Sequence, residues 1–183
     1  MTRKCKVCRE VYEPKNSFAV WCSPACGAVL GFQRLAKAKK QAGVIERRAD
    51  KVKRDKLKSK SDWAKEAQTA FNAFIRVRDH DQPCISCGKH HTGQYHAGHY
   101  LSVGARPELR FEETNVHKQC SICNNHLSGN AVMYRMALIR KLGLQAVDWL
   151  ESHHEPQRYT IDELKAIKAD YTAQARGMKE NQE

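Results

Sequence analysis

The chain has 183 residues, with 32 Lys and Arg against 20 Asp and Glu, and a formal net charge of +12. Hydrophobic residues make up 41 %, enough for one or two small domains but not for a large single core. No window approaches the ~18 consecutive apolar residues of a membrane span, and Met1-Thr2-Arg3-Lys4-Cys5 opens without a hydrophobic signal region. Export and a transmembrane role are therefore not expected; a small, basic cytosolic protein is.

In chain order, Cys5-x2-Cys8 predicts a knuckle, Glu10 to Glu13 a strand, Pro14 to Ser17 a turn, and Phe18 to Trp21 a returning strand. Ser23 and Pro24 then suit the N-cap and first position of a helix that carries Cys22-x3-Cys26 into the fold. Knuckle, hairpin and helix in that order make a treble-clef-like unit. From about Ala28 to Ser59 the pattern is helical. Between Arg34 and Lys60 twelve basic residues stand against three acidic ones, so this arm holds +9 of the net +12. Such a concentration points to nucleic-acid phosphates. Its apolar positions look sparse (Leu35, Val44, Ile45, Val52, Leu57), and Gly43 weakens the helix.

Ser61-Asp62 are expected to cap a helix to about Asp79, with Trp63, Ala67, Ala70, Phe71, Phe74, Ile75 and Val77 on its buried face. Cys84 to Glu113 reads as a knuckle, short strands and loop. Helices follow over about 130–142 and 146–152. A last one opens at the capping box Thr160-x-x-Glu163, ends near Gly177, and packs through Ile161, Leu164, Ile167 and Tyr171. The fold class is α+β, small and zinc-stabilised, with expected parts at 1–33, 34–60, 61–143 and 144–183.

The eight cysteines fall in four close pairs, the last two being Cys84-x2-Cys87 and Cys120-x2-Cys123. Without an oxidising compartment this is metal spacing, two thiols per knuckle and two knuckles per tetrahedral Zn²⁺. Cys5, Cys8, Cys22 and Cys26 make one site, and Cys84, Cys87, Cys120 and Cys123 the other. A zinc held by four thiolates has no open position, so both sites are structural.

Seven of nine histidines lie between residues 80 and 126. The order of a His in a strand (His99), an Asn in the following loop (Asn115), and Asn124 or His126 after the last cysteine is that of an HNH nuclease. Such chemistry needs a neutral imidazole to take a proton from water, N or O ligands for a divalent metal, and a polar side chain that orients both. His117 reads as loop support. His80, His90, His91, His153 and His154 read as solvated, and Lys118 as weak phosphate contact at most.

Gly98-His99-Tyr100, Leu109-Arg110-Phe111, Asn115-x-His117-Lys118-Gln119-Cys120 and Cys123-Asn124-x-His126-x-Ser128-Gly129-Asn130 together resemble the NinG/Rap family of lambdoid-phage recombination proteins, over nearly the whole chain. The resemblance implies an HNH-like ββα-metal module and a structure-specific endonuclease acting on D-loops and Holliday junctions. It implies DNA, preferentially branched, as partner, beside recombination proteins in the host cytosol. His99 then matches the general base and Asn115 the central Asn that holds the loop. Asn124 is the first choice for a ligand of catalytic Mg²⁺ or Mn²⁺, with His126 as the alternative. His96 stands where the family pattern has aspartate, a softer, neutral ligand that moves metal preference toward Mn²⁺, Zn²⁺ or Ni²⁺. Symmetric junction cutting calls for a homodimer, yet no segment announces an interface. The rival readings are a non-catalytic zinc-finger nucleic-acid adaptor and a module that recruits other proteins.

Overall fold

The computed structural model describes residues 2–16 and 18–181 and divides into two compact units, one ending at Leu57 and the other beginning at Lys58. In the first unit, β1 (Arg3–Lys4) pairs antiparallel with β2 (Val11–Tyr12), Arg3 opposite Tyr12 and Lys4 opposite Val11. This corrects the predicted hairpin. The segment 18–21 forms no strand, and β2 turns back across the knuckle instead. The reason is local. The Asn16 carboxamide accepts from the amides of Phe18 (3.1 Å) and Ala19 (2.8 Å), a side-chain turn that competes with a ladder. Ser17 of the predicted turn lies outside the described residues. Val20 still reaches the knuckle, accepting at its carbonyl from Lys6 N at 3.0 Å.

α1 runs unbroken from Pro24 to Leu57, through Gly43. Ser23 opens it, its hydroxyl accepting from Cys26 N at 3.4 Å and its carbonyl from Gly27 N at 3.0 Å. None of its residues is buried.

The second unit holds α2 (Lys60–Arg78), β3 (Tyr95–His99), β4 (Val116–Cys120), α3 (Ala131–Leu142), α4 (Leu144–Glu151) and α5 (Ile161–Glu180). α2 is capped by Ser59, not by Ser61. Ser59 Oγ accepts from Asp62 N at 3.2 Å and the Asp62 carboxylate accepts from Ser59 N at 3.0 Å, a reciprocal capping box. Thr160 and Glu163 form the same box ahead of α5.

β3 and β4 pair antiparallel, Tyr95 opposite Cys120 and His99 opposite Val116. Side chains alternate across such a ladder, so each pair of partners shares a face. Ala97 and Val116 meet α2 through Phe71, Phe74 and Ile75 and α5 through Tyr171 and Ala175, with Phe71 edge-on to Tyr171 at 4.8 Å. The opposite face carries Gly98 and His117 against Tyr134 of α3, whose hydroxyl donates to Gly98 O at 2.8 Å. Tyr134 joins Leu109, Leu138, Val147 and Leu150 in a second core. Burying a side chain such as Phe71 or Tyr134 stabilises by about 1.5–3 kcal/mol, which makes these clusters the chief apolar support of the hairpin. Trp63, Ala67 and Leu164 close a third cluster. Ile161, predicted to pack, is exposed, because it is the first residue of α5.

Gly98 is required by packing. A Cβ there would stand 2.2 Å from Gln119 Oε1 and 2.9 Å from Gln119 Cβ. Gln119 has no room to retreat: it is fully buried and its amide donates to Ser86 Oγ at 2.7 Å. Gly98→Ala is expected to cost about 1–3 kcal/mol, read as a lowered urea midpoint with unchanged m. A midpoint equal to wild type would show that the two strands can separate freely here.

Candidate functional site

Within each four-cysteine cluster all sulfur atoms lie within 4.8 Å of one another. In the first cluster Cys8 and Cys22 are 3.4 Å apart and Cys22 and Cys26 3.7 Å. A disulfide spans about 2.05 Å, whereas a tetrahedron with Zn–S bonds of ~2.3 Å has edges of about 3.8 Å. The spacing fits the metal. Backbone amides support the sulfurs as a thiolate site requires, Val7 N donating to Cys5 Sγ at 3.4 Å and Cys123 N to Cys120 Sγ at 3.5 Å. In the second cluster Asn130 adds its side-chain amide, 3.7 Å from Cys123 Sγ. It arrives there through left-handed backbone at Ser128, Gly129 and Asn130. Both clusters can hold zinc. His91, expected to be solvated, instead brings Nε2 to 3.2 Å from Cys87 Sγ.

His99 ends β3 on the face that meets α2, its ring 6.4 Å from that of Phe71. Nε2 lies 3.1 Å from the Arg110 carbonyl. A carbonyl only accepts, so Nε2 carries the proton and Nδ1 keeps its lone pair. Burial lowers the His99 pKa below the ordinary imidazole value, which keeps the ring neutral at pH 7. Asn115 is fully buried and ties the chain just beyond His99. Its Oδ1 accepts from Leu101 N at 2.9 Å, its Nδ2 donates to the carbonyls of Leu101 (3.0 Å) and Leu109 (3.3 Å), and its carbonyl accepts from Tyr100 N at 2.8 Å.

Arg110, whose carbonyl holds His99, also lines a cleft of about 500 Å³ with Lys60, Lys65 and Arg158. Among the described residues that line it there is no carboxylate. Four cations around one cleft make a surface suited to phosphate oxygens.

His96 lies on the opposite face of β3 from His99, across from Gln119. Its Nε2 is buried without a hydrogen-bond partner. The π-helical turn Ile122–His126 carries the half-buried Asn124 and the exposed His126. It leads to Gly129, whose carbonyl accepts from Gln119 Nε2, so the turn folds over the face that carries His96. Among the described residues, no hydrogen bond joins His96, His99, Asn124 or His126 to one another.

Residues 1–182 match the family model described as "Bacteriophage Lambda NinG protein". The chain belongs to the NinG family. It is 47 % identical over 180 residues to protein ninG of Escherichia phage 933W, covering 92 % of this chain and 90 % of that one. It is 47 % identical over 182 residues to protein ninG of Escherichia phage lambda (92 % and 89 %), and 45 % identical over 192 residues to that of Salmonella phage P22 (98 % and 95 %). No solved structure matches. Among the described residues of this NinG-family chain, no helix is long and apolar enough to cross a membrane.

Sequence reading missed a buried support under β4 in this NinG-family fold. Arg78 grips Asp79 through Nε (2.8 Å) and Nη2 (2.9 Å) and donates from Nη2 to Val116 O at 2.8 Å, while Asp79 accepts from Lys118 N at 3.0 Å. Lys118, offered as a phosphate contact, is buried, its ammonium on the His80 carbonyl and over the Tyr95 ring. The one legible signal was that Arg78-Asp79 ends a helix bearing an apolar face.

His117, 3 % exposed, stands 3.4 Å from the Tyr134 hydroxyl through Nδ1. Burial, with Lys141 and Arg78 nearby, pulls its pKa down to about 3. Unfolded it titrates near ~6.5. Its stabilising contribution is thus complete above pH ~6.5 and is lost as pH falls from there toward 3, by about 1.4 kcal/mol per pH unit at most. Urea midpoints at pH 7, 6 and 5 are expected to fall less steeply for His117→Gln than for wild type. Parallel lines would contradict a neutral, buried His117.

Proposed function

We propose that this NinG-family protein is a metal-dependent endonuclease of the HNH type that hydrolyses phosphodiesters in branched DNA intermediates of phage recombination. The observation that carries the reading is His99, neutral and fixed on the carbonyl of Arg110, a residue that also lines a cleft of four cations. Family membership and the order His99, Asn115, Asn124 within a zinc-stapled hairpin support it. On this reading residues 1–33 are a treble-clef-like zinc unit and 34–60 a phosphate-tracking arm. Residues 61–143 are the HNH-like module, followed by the C-terminal helices.

His99 Nδ1 takes a proton from water, the hydroxide attacks phosphorus, and the bond to the 3′ oxygen breaks, that oxygen taking a proton from solvent to leave as a hydroxyl. Asn115 holds the loop that fixes His99. The orphaned Nε2 of His96 fits a divalent ion, with Asn124 or His126 as the further donor. Such a metal, Mg²⁺ or Mn²⁺, supplies stabilisation of charge on the phosphate and leaving oxygen.

One observation favours a second reading, a non-catalytic zinc-dependent DNA-binding accessory protein: His96 and His99 leave β3 on opposite faces. End-labelled D-loop, four-way junction and linear duplex, each with Mg²⁺ or Mn²⁺, separate the two. Metal-dependent cutting of the branched forms is expected. Binding without cutting under either metal would overturn the enzyme and leave the accessory protein.

A further inference from the structure

α1 spans 34 residues without burying one, although it carries large apolar side chains. Leu35 and Ile45 are each 68 % exposed and Val52 56 %. These are not scattered. Leu35, Ala38, Ala42, Ile45, Ala49 and Val52 follow one another at spacings of three, four, three, four and three, and the same alternation extends to Gly31 and Lys56. That is the spacing of a coiled-coil seam, apolar over about two and a half heptads from Leu35 to Val52. The small residues let two helices approach closely, and the large ones need a partner to leave water.

We propose that α1 pairs with α1 of a second copy of this chain as an antiparallel two-stranded coiled coil. The register follows from size and charge together. Setting Leu35 against Val52 of the second copy sets Ala42 against Ile45, and the same pairs recur in reverse order by the two-fold symmetry. Ile45 then meets the small Ala42 and Leu35 the smaller Val52, while Ala38 meets Ala49, where the two helices approach most closely. The positions flanking the seam agree. This register places Arg34 beside Asp55 of the second copy and Lys39 beside Glu46, four attractive pairs in all once symmetry is counted. A parallel pair would instead set Arg34 against Lys39 and Arg48 against Lys53, like charges at both places. Lys40, Arg47 and Arg54 occupy the side away from the seam and stay exposed, so pairing leaves the positive face open. The proposal stands independently of the nuclease reading.

Sedimentation equilibrium of the full-length, zinc-loaded protein tests it. Wild type is expected to show a monomer–dimer equilibrium, and Ile45→Lys with Val52→Lys to be monomeric with unchanged helical circular dichroism. Arg34→Asp and Asp55→Arg are each expected to weaken dimerisation by about three- to tenfold. The double variant is expected to recover most of the loss, because the pair is re-formed with its signs exchanged. Wild type that stays monomeric to about 100 µM, a dissociation constant too weak for a working dimer, would overturn the proposal. So would a dimer that survives Ile45→Lys with Val52→Lys. Tighter dimerisation by Arg34→Asp alone would overturn the antiparallel register in favour of the parallel one.

Discussion

Cys120→Ser is expected to remove one zinc ion from the protein and, with it, the folded hairpin of the second unit. Cys120 closes β4 opposite Tyr95 and shares its cluster with Cys84, Cys87 and Cys123, so one metal fixes the start of the knuckle, the end of the ladder and the turn that leads to α3. Structural zinc contributes about 10–16 kcal/mol of apparent binding energy, as much as the whole stability of a small domain. Burial pushes the Cys123 thiol up to about 12 and raises Cys87 as well. Without metal, Cys87 and Cys123 therefore hold protons that loading must release, whereas hydrogen bonds from neighbouring backbone amides outweigh burial and lower Cys84. Metal analysis should read two zinc ions per wild-type chain and one for the variant. The variant should also lose its cooperative thermal transition, followed by circular dichroism. A variant that binds one zinc yet melts like wild type would show that the two cores hold the hairpin without it.

Replacing Lys37, Lys40, Arg47 and Arg54 together by Gln is expected to weaken binding to duplex DNA and to flatten its salt dependence. All four are exposed on α1 and lie off the apolar seam. Each phosphate neutralised by Lys or Arg adds about 0.9 to the slope of log K against log salt, so the loss of four contacts reduces the slope by roughly 3–4. Affinity at low salt should fall for every DNA sequence alike, since phosphates carry no base information. A fluorescence titration at several salt concentrations measures both quantities. An unchanged slope would assign DNA contact to the cleft of Lys60, Lys65, Arg110 and Arg158 rather than to the arm.

Where a residue's own chemistry decided the outcome, the sequence was legible. The Cys spacings alone put the eight thiols in two clusters, and Thr160 with Glu163 capped α5 as their pattern required. The buried face of α2 follows from the period of Trp63, Ala67, Phe71 and Phe74. Where neighbours decided it, pattern was not enough. The strand expected at 18–21 lost to the Asn16 turn, and Ser59 displaced Ser61 because Asp62 lies three residues beyond the former. Lys118 looked like a surface cation until Asp79 and the His80 carbonyl drew it inward. Placing His96 and His99 on opposite faces of one strand needed only their odd spacing, yet its consequence for the site depends on the packing of α2 and α3. The seam of α1 was also present in the sequence. In the sequence the alternating three and four is masked by the arm's charge; in the structure Leu35, Ile45 and Val52 stand exposed.

The most direct measurement places wild type beside His99→Ala on an end-labelled four-way junction with Mn²⁺, following cleavage and binding in the same samples. Removing a general base lowers such a rate by about 10²–10⁴-fold. Cutting by wild type, lost to that extent in the variant while junction binding and zinc content stay equal, is the expected result. Equal cutting by both proteins would contradict the assignment of His99 and send the search for the base to another histidine of the hairpin.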